Sequence, residues 1–224
     1  MKLWLTSYYM LICSLPPLPS HFQVDRPLMT RERLENRVRM LEPGDAEEIG
    51  RMVEIMEWSR QFKEADDAAV VRRYTELMQG VSNELVREVL TLVMDGHMIF
   101  AALRRRRRSL GPPTIGVGRW IDHIRRHFNQ PDLGLVHAFP RIAEYERLFE
   151  QGDMLNLYRA LLDATWSYLK RRADDYYFSF EAVVLYVARW NIIRQWQDLQ
   201  AERGRSIFET LVTEALGEHA NISP

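Results

Sequence analysis

The chain has 224 residues, 46% of them hydrophobic and 27% charged, with a formal net charge of −1. A chain of that length can bury a core without disulfides or metals, its composition excludes a disordered or low-complexity protein, and its balanced charge excludes one that is basic throughout, as nucleic-acid binders usually are. The single Cys13 excludes an internal disulfide and gives no sign of an oxidising compartment.

Met1 and Lys2 followed by the apolar run Leu3–Leu15 imitate a secretion signal, but Tyr8 and Tyr9 interrupt the run. Ile12 stands before Cys13, where a lipoprotein cleavage site takes a small residue, and Ser14–Pro17 carries no A-x-A-like site. The segment is therefore expected to stay as a buried first element, a strand or a short helix. Cys13 would then be a buried thiol, and the Pro-rich Ser14–Pro19 ends the element. No stretch reaches the ~18 to 20 apolar residues that span a bilayer, and the expected compartment is the cytoplasm.

Thr30 is placed to cap a helix running to about Leu41, with Leu34, Val38 and Leu41 on one face. Pro43 and Gly44 break it. Asp45, with Glu48 three positions on, opens another helix carrying Ile49, Val53 and Met56, with Met52 and Ile55 beside them. Asp66 and Asp67 are expected to cap a helix through Val70, Val71, Tyr74 and Met78, stopped by Gly80. Ser82 is expected to cap a long one through Leu85, Val89, Leu92, Val93, Phe100 and Leu103, which runs into Arg104–Arg108. Ser109–Gly118, with three glycines and two prolines, reads as an irregular, exposed linker.

A short helix near Trp120–Phe128 follows, then one opening at Pro140 and one capped by Asp153 through Leu157, Leu161, Leu162 and Leu169. Asp174 or Asp175 caps the next, through Phe180, Val184, Val187 and Ile193. Gly204 separates a last helix with Phe208, Leu211, Val212 and Leu216 on its buried face. No sustained period-two alternation and no Asn-Gly hairpin signal occurs. The fold expected is all-α or nearly so: one multi-helix, bundle-like domain over residues 1–224, with an optional short N-terminal strand and a candidate sub-boundary at 109–118.

Arg104, Arg105, Arg106, Arg107 and Arg108 are the strongest local charge feature. Cations at a helix C-terminus complement the macrodipole at about 0.3 to 1 kcal/mol each. Five adjacent residues go all round a helix, so a solvated helix end accounts for the run as readily as an anion-binding patch. No aromatic residue that could stack on a base lies within 101–111. Of the functional readings, contact with an acidic protein partner leads, and charge reversal at Arg105–Arg107 is expected to weaken assembly without unfolding the protein. Phe180, Val184, Val187, Trp190, Ile193 and Trp196 recur at helical steps and read as core. An exposed part of that stripe, Trp190 with Arg189 and Arg194, would make a protein-binding hot spot.

His123 and His127 share a helix face, but Arg125 and Arg126 lie between them and the one nearby third ligand, Asp122, projects about 100° from His123 on a helix, so no metal is expected. Gly111, Gly116 and Gly118 fail the Walker spacing, with Val117 and Gly118 where Lys and Ser/Thr belong. They fail the dinucleotide fingerprint too, with Ile121 in place of the third glycine. The acidic pairs Glu47–Glu48, Asp66–Asp67 and Asp174–Asp175 fall at helix starts, where capping accounts for them. There is no Gly-x-Ser-x-Gly elbow. No catalytic residue, cofactor or small-molecule substrate is expected.

Two separated segments carry a more specific pattern. One is Tyr8-Tyr9, Leu11, Ser14-Leu15-Pro16 and Leu18; the other is Tyr177-Phe178, Phe180-Glu181, Tyr186, Trp196, Glu202, Gly204, Phe208 and Leu211. Together they resemble a bacterial family without an assigned activity, whose members are typically encoded among the subunits of V-type (A/V-type) ATPases. Members stand where the C or d subunit, the socket joining central stalk to membrane rotor, would be expected. The resemblance implies a non-catalytic subunit of a V-type ATPase or ATP synthase. Its partners would be the central stalk and the rotor ring, with the membrane met only through the complex and no nucleic acid bound. The C and d subunits are all-helical but longer and built from three similar units. No clear internal repeat is legible here, so the resemblance implies a reduced version. The alternative from the residues alone is a helical regulatory or RNA-binding module that uses Arg104–Arg108 against phosphates.

Overall fold

A computed structural model describes residues 4–24, 26, 28–58 and 67–220. Among these it forms nine α-helices and no strand: α1 (Trp4–Ser14), α2 (Arg31–Val38), α3 (Pro43–Trp58), α4 (Asp67–Gln79), α5 (Glu84–Arg107), α6 (Ile121–His127), α7 (Ile142–Glu150), α8 (Met154–Ala173) and α9 (Phe180–Ala220). The protein is all-α, and the apolar N-terminal segment is helix and not strand. No helix among the described residues is long and apolar enough to cross a membrane.

Thr30 caps α2, its side chain accepting the Arg33 N–H at 3.4 Å, and Asp153 caps α8 by accepting the Asn156 N–H at 3.2 Å. Other boundaries shift for local reasons. α3 begins at Pro43, where a proline suits the first turn, two residues before Asp45. Asp45 instead accepts a hydrogen bond from Tyr8, and Glu48 reaches across to accept from the Ser82 hydroxyl and the Ser82 and Asn83 N–H groups. With Ser82 engaged there, Asn83 caps α5, its Oδ1 accepting from the Leu85 and Val86 N–H groups at 3.0 and 3.1 Å. α7 opens two residues after Pro140. Asp174 ends α8 as its C-cap, and Ser179 Oγ accepts from the Ala182 N–H at the start of α9. α9 runs through Gly204 unbroken, since a lone glycine costs a helix only about 1 kcal/mol relative to alanine. Asp66 lies outside the described residues, as do the side chains of Phe208, Leu211, Val212 and Leu216.

α9 packs against α1, α3, α5 and α8, and α5 packs against α3, α6, α7 and α8. A helix surrounded by others must be apolar nearly all round, and in α9 Val183 to Ala188, Trp190, Ile192, Ile193 and Trp196 are all buried. Val86, Val89, Leu90, Met94 and Ile99 of α5 are fully buried. α7 and α8 form a hairpin closed by a Schellman ending. Gly152 (φ +72°) donates its N–H to Phe149 O at 3.1 Å, and the Asp153 N–H donates to Leu148 O at 2.9 Å.

The chain between α1 and α2 is strapped along α8 and α9 by four side-chain donors. Tyr186 Oη donates to Pro16 O at 2.9 Å, Trp166 Nε1 to Ser20 O at 3.2 Å, Gln197 Nε2 to Val24 O at 3.2 Å and Trp190 Nε1 to Met29 O at 3.3 Å. Phe22 is fully buried in this strap, its ring centroid 5.6 Å from that of Trp196 and 6.1 Å from that of Trp166.

Candidate interaction surface

The arginine run at the end of α5 is divided by its surroundings. Arg106 is internal: its guanidinium donates to Pro131 O at 2.8 Å, to Phe128 O at 2.7 Å and to Gln130 O, and it ion-pairs with Glu146. Arg107 donates to Phe149 O at 3.1 Å and lies over the Phe149 ring. Arg105 Nε donates to Gly111 O at 2.7 Å. Arg104 acts electrostatically on His97, and Arg108 is exposed. The expectation that charge reversal at Arg105–Arg107 spares the fold is therefore corrected, because Arg106 fastens α7 and the turn at 128–131 to the end of α5.

The Ser109–Gly118 segment is irregular and largely exposed, as read, and is also held at several points. Arg125 donates to Pro113 O at 2.9 Å and to Thr114 O, and Val117 is buried. Asp95, only 3% exposed within α5, accepts the Arg119 N–H at 2.6 Å. Gly118 has φ +95°, and a Cβ there would stand 2.4 Å from Asp95 Oδ1. The close approach of loop to helix thus requires glycine. Burial pushes the Asp95 carboxyl up to about 6, against the Arg119 and Trp120 N–H groups that favour its charged form.

Trp190 is 5% exposed, with Arg194 over its ring and ion-paired to Glu57 at 3.1 Å, while Arg189 lies over Trp166. The stripe is core as read, and the hot spot of Trp190, Arg189 and Arg194 is corrected, since the indole is not on the free surface. The His123 and His127 rings stack 4.0 Å apart. His123 Nε2 donates to Gly134 O at 2.9 Å and His127 Nδ1 to His123 O at 3.0 Å, so each ring fastens backbone. Among the described residues no group of three or more His, Cys, Asp or Glu is placed to hold a metal ion.

A cavity of about 430 Å³ lies between α5, α7 and α8, with Gly96, His97, Phe139, Tyr145, Tyr158 and Leu161 in its lining. Its charged edge is neutralised from within. Asp163 accepts from His21 at 2.9 Å and from Arg141 at 2.8 Å, and Arg141 also donates to both Glu144 oxygens. Burial alone would raise the Asp163 carboxyl, but those two hydrogen bonds and the attraction of Arg141 and His21 together outweigh it and hold the group below the usual carboxylate range. Burial, helped by the charge on Arg104, pushes the His97 imidazole down to about 4, so it is neutral at pH 7.

The feature that sequence reasoning missed is the outer face of α1. This helix contains no charged residue. Leu11 is fully buried and Tyr8 and Ile12 pack on the core, while Tyr9 (54% exposed), Met10 (55%) and Cys13 face outward. Cys13, expected buried, is exposed because helical spacing puts positions 9, 10 and 13 together, turned away from Leu11. The Tyr9 ring lies 4.6 Å from that of Phe178, which is 45% exposed and follows Tyr177 at 74%. Carboxylates stand around Tyr8, the neighbour of Tyr9: burial, the hydrogen bond to Asp45 and the charges of Asp45, Glu181 and Glu42 together push the Tyr8 phenol up. The signal that could have found it was the aromatic pair in each resembling segment.

An all-α protein with an uncovered aromatic patch is the class that this geometry defines. The family described as "Protein of unknown function (DUF2764)" matches residues 52–218, and the chain belongs to that family. No curated protein and no solved structure matches the chain.

Proposed function

We propose that this chain is a non-catalytic helical subunit of a bacterial V-type ATPase or ATP synthase, standing between the central stalk and the membrane rotor ring. The observation that carries the reading is the meeting of the two resembling segments. Tyr9 packs on Phe178, and the Tyr186 hydroxyl donates to Pro16 O. Residues far apart in sequence thus form one continuous feature at the α1–α9 junction. In this role the chain transmits torque through packed helices and broad contacts and binds no small ligand. Its place is at the cytoplasmic side of the membrane, reached through the complex.

An affinity-tagged full-length chain, purified from native membranes and cytosol, tests this by mass spectrometry of its partners. Stalk and nucleotide-binding subunits are the expected recovery, retained through a salt wash because an apolar interface is weakly screened. Recovery of ribonucleoprotein released steeply by salt would replace the proposal with phosphate binding.

A further inference from the structure

α1 carries no charged residue, and among its described side chains Leu11 is buried while Tyr9, Met10 and Cys13 are exposed. Its outer residues Tyr9 and Met10 join Tyr177 and Phe178 in one apolar patch, with two rings already in contact at 4.6 Å. Large contiguous exposed apolar patches mark places where another molecule sits, and aromatic and methionine side chains are the types enriched there.

The rim decides what that molecule is. Glu42 is exposed at the edge, Asp45 and Glu181 are half-buried beside Tyr8, and Asp174 and Asp175 are exposed just before Tyr177. Two of the cations near the patch are engaged by the chain itself. Arg172 pairs with Glu88 at 3.1 Å and Asp175 at 2.9 Å, and Arg37 donates to Ser14 O at the far end of α1. An acidic rim repels an anionic bilayer, and a second copy of this chain would bring the same rim against itself.

We infer that the acid-rimmed patch of Tyr9, Met10, Tyr177 and Phe178 is the docking site for an amphipathic helix of a partner protein, one with an apolar stripe flanked by Lys and Arg. The partner helix lays its stripe over Tyr9 and Phe178 and its cations against Glu42, Asp45 and Glu181. This deepens the reading of the chain as a binding subunit and rests on it.

The test uses the full-length chain and two labelled synthetic helical peptides of about 18 residues, five turns. One is built of Leu and Lys, the other of Leu and Glu in the same pattern. The Leu/Lys peptide is expected to bind at least tenfold more tightly by fluorescence anisotropy. Tyr9→Ser with Phe178→Ser is expected to weaken it tenfold or more, and Glu42→Lys, a surface change that spares the apolar patch, several-fold. Equal binding of the two peptides overturns the proposal, as does binding that survives both sets of changes. Concentration-dependent dimerisation abolished by Tyr9→Ser would give the patch to a second copy. Binding to vesicles containing anionic lipid, lost with the same change, would give it to a membrane. Stalk subunits still recovered by the Tyr9→Ser, Phe178→Ser chain would remove this site and leave the subunit reading standing. Peptide binding without stalk recovery would do the reverse.

Discussion

Arg106 ties three parts of the chain together from one side chain: the end of α5, the carbonyls of the turn after α6, and Glu146 on α7. Truncating one partner of such a charged, part-buried network leaves acceptors without donors. Arg106→Ala is expected to cost about 2 to 3 kcal/mol by urea denaturation, whereas Arg108→Ala, on the exposed side, should stay within about 0.5 kcal/mol. Equal effects would mean that the run behaves as a uniformly solvated helix end. Asp95 makes a second residue-scale prediction. Its folded-state value of about 6 lies above the ordinary 3.8. The folded protein therefore holds the proton more tightly, and stability falls as pH rises from about 4 to about 6, then levels off. Asp95→Asn keeps an oxygen for the Arg119 N–H and lacks this slope. Relative to the parent, the variant should gain about 2 kcal/mol between pH 4 and pH 7, read from denaturation midpoints across that range. A pH-independent difference would assign the slope to another group.

Helix ends show what sequence pattern conveys and what it leaves out. Thr30 and Asp153 cap as read, because their acceptor atoms face N–H groups only two or three residues away. Asn83 displaces Ser82 because Glu48, far off in sequence, engages the serine, and no local pattern carries that. The end of α5 holds a further case. Ser109 adopts φ 54° and donates its N–H to Arg106 O, and the Leu110 N–H donates to Arg105 O, both at 2.9 Å. This is a Schellman ending with serine where glycine is usual. Ser109→Gly should relieve the left-handed strain and stabilise the protein by about 0.5 to 1 kcal/mol. A lower melting temperature for the variant would show that the serine side chain contributes more than its backbone strain costs.

Across the whole molecule, the all-α class and the buried stripe of α9 were legible because period and burial are written in neighbouring residues. The candidate surface was not. Trp190 and Arg106 looked like contact residues until long-range partners, Met29 O for one and Glu146 for the other, drew them inside. Tyr9 and Phe178 form a patch only because α1 lies against the start of α9. The strap from Pro16 to Met29 is the most non-local part of all, since its four donors come from residues 166, 186, 190 and 197. That has a bearing on how the protein is made. Synthesis proceeds at about 5 to 20 residues per second, so the strap leaves the ribosome roughly 7 to 35 s before its partners do. Through that interval Phe22 and the carbonyls beside it have nothing of their own chain to dock against. The strap is thus among the last parts to settle, and a nascent chain stalled before Trp166 offers chaperones and proteases an apolar stretch that the folded protein keeps covered.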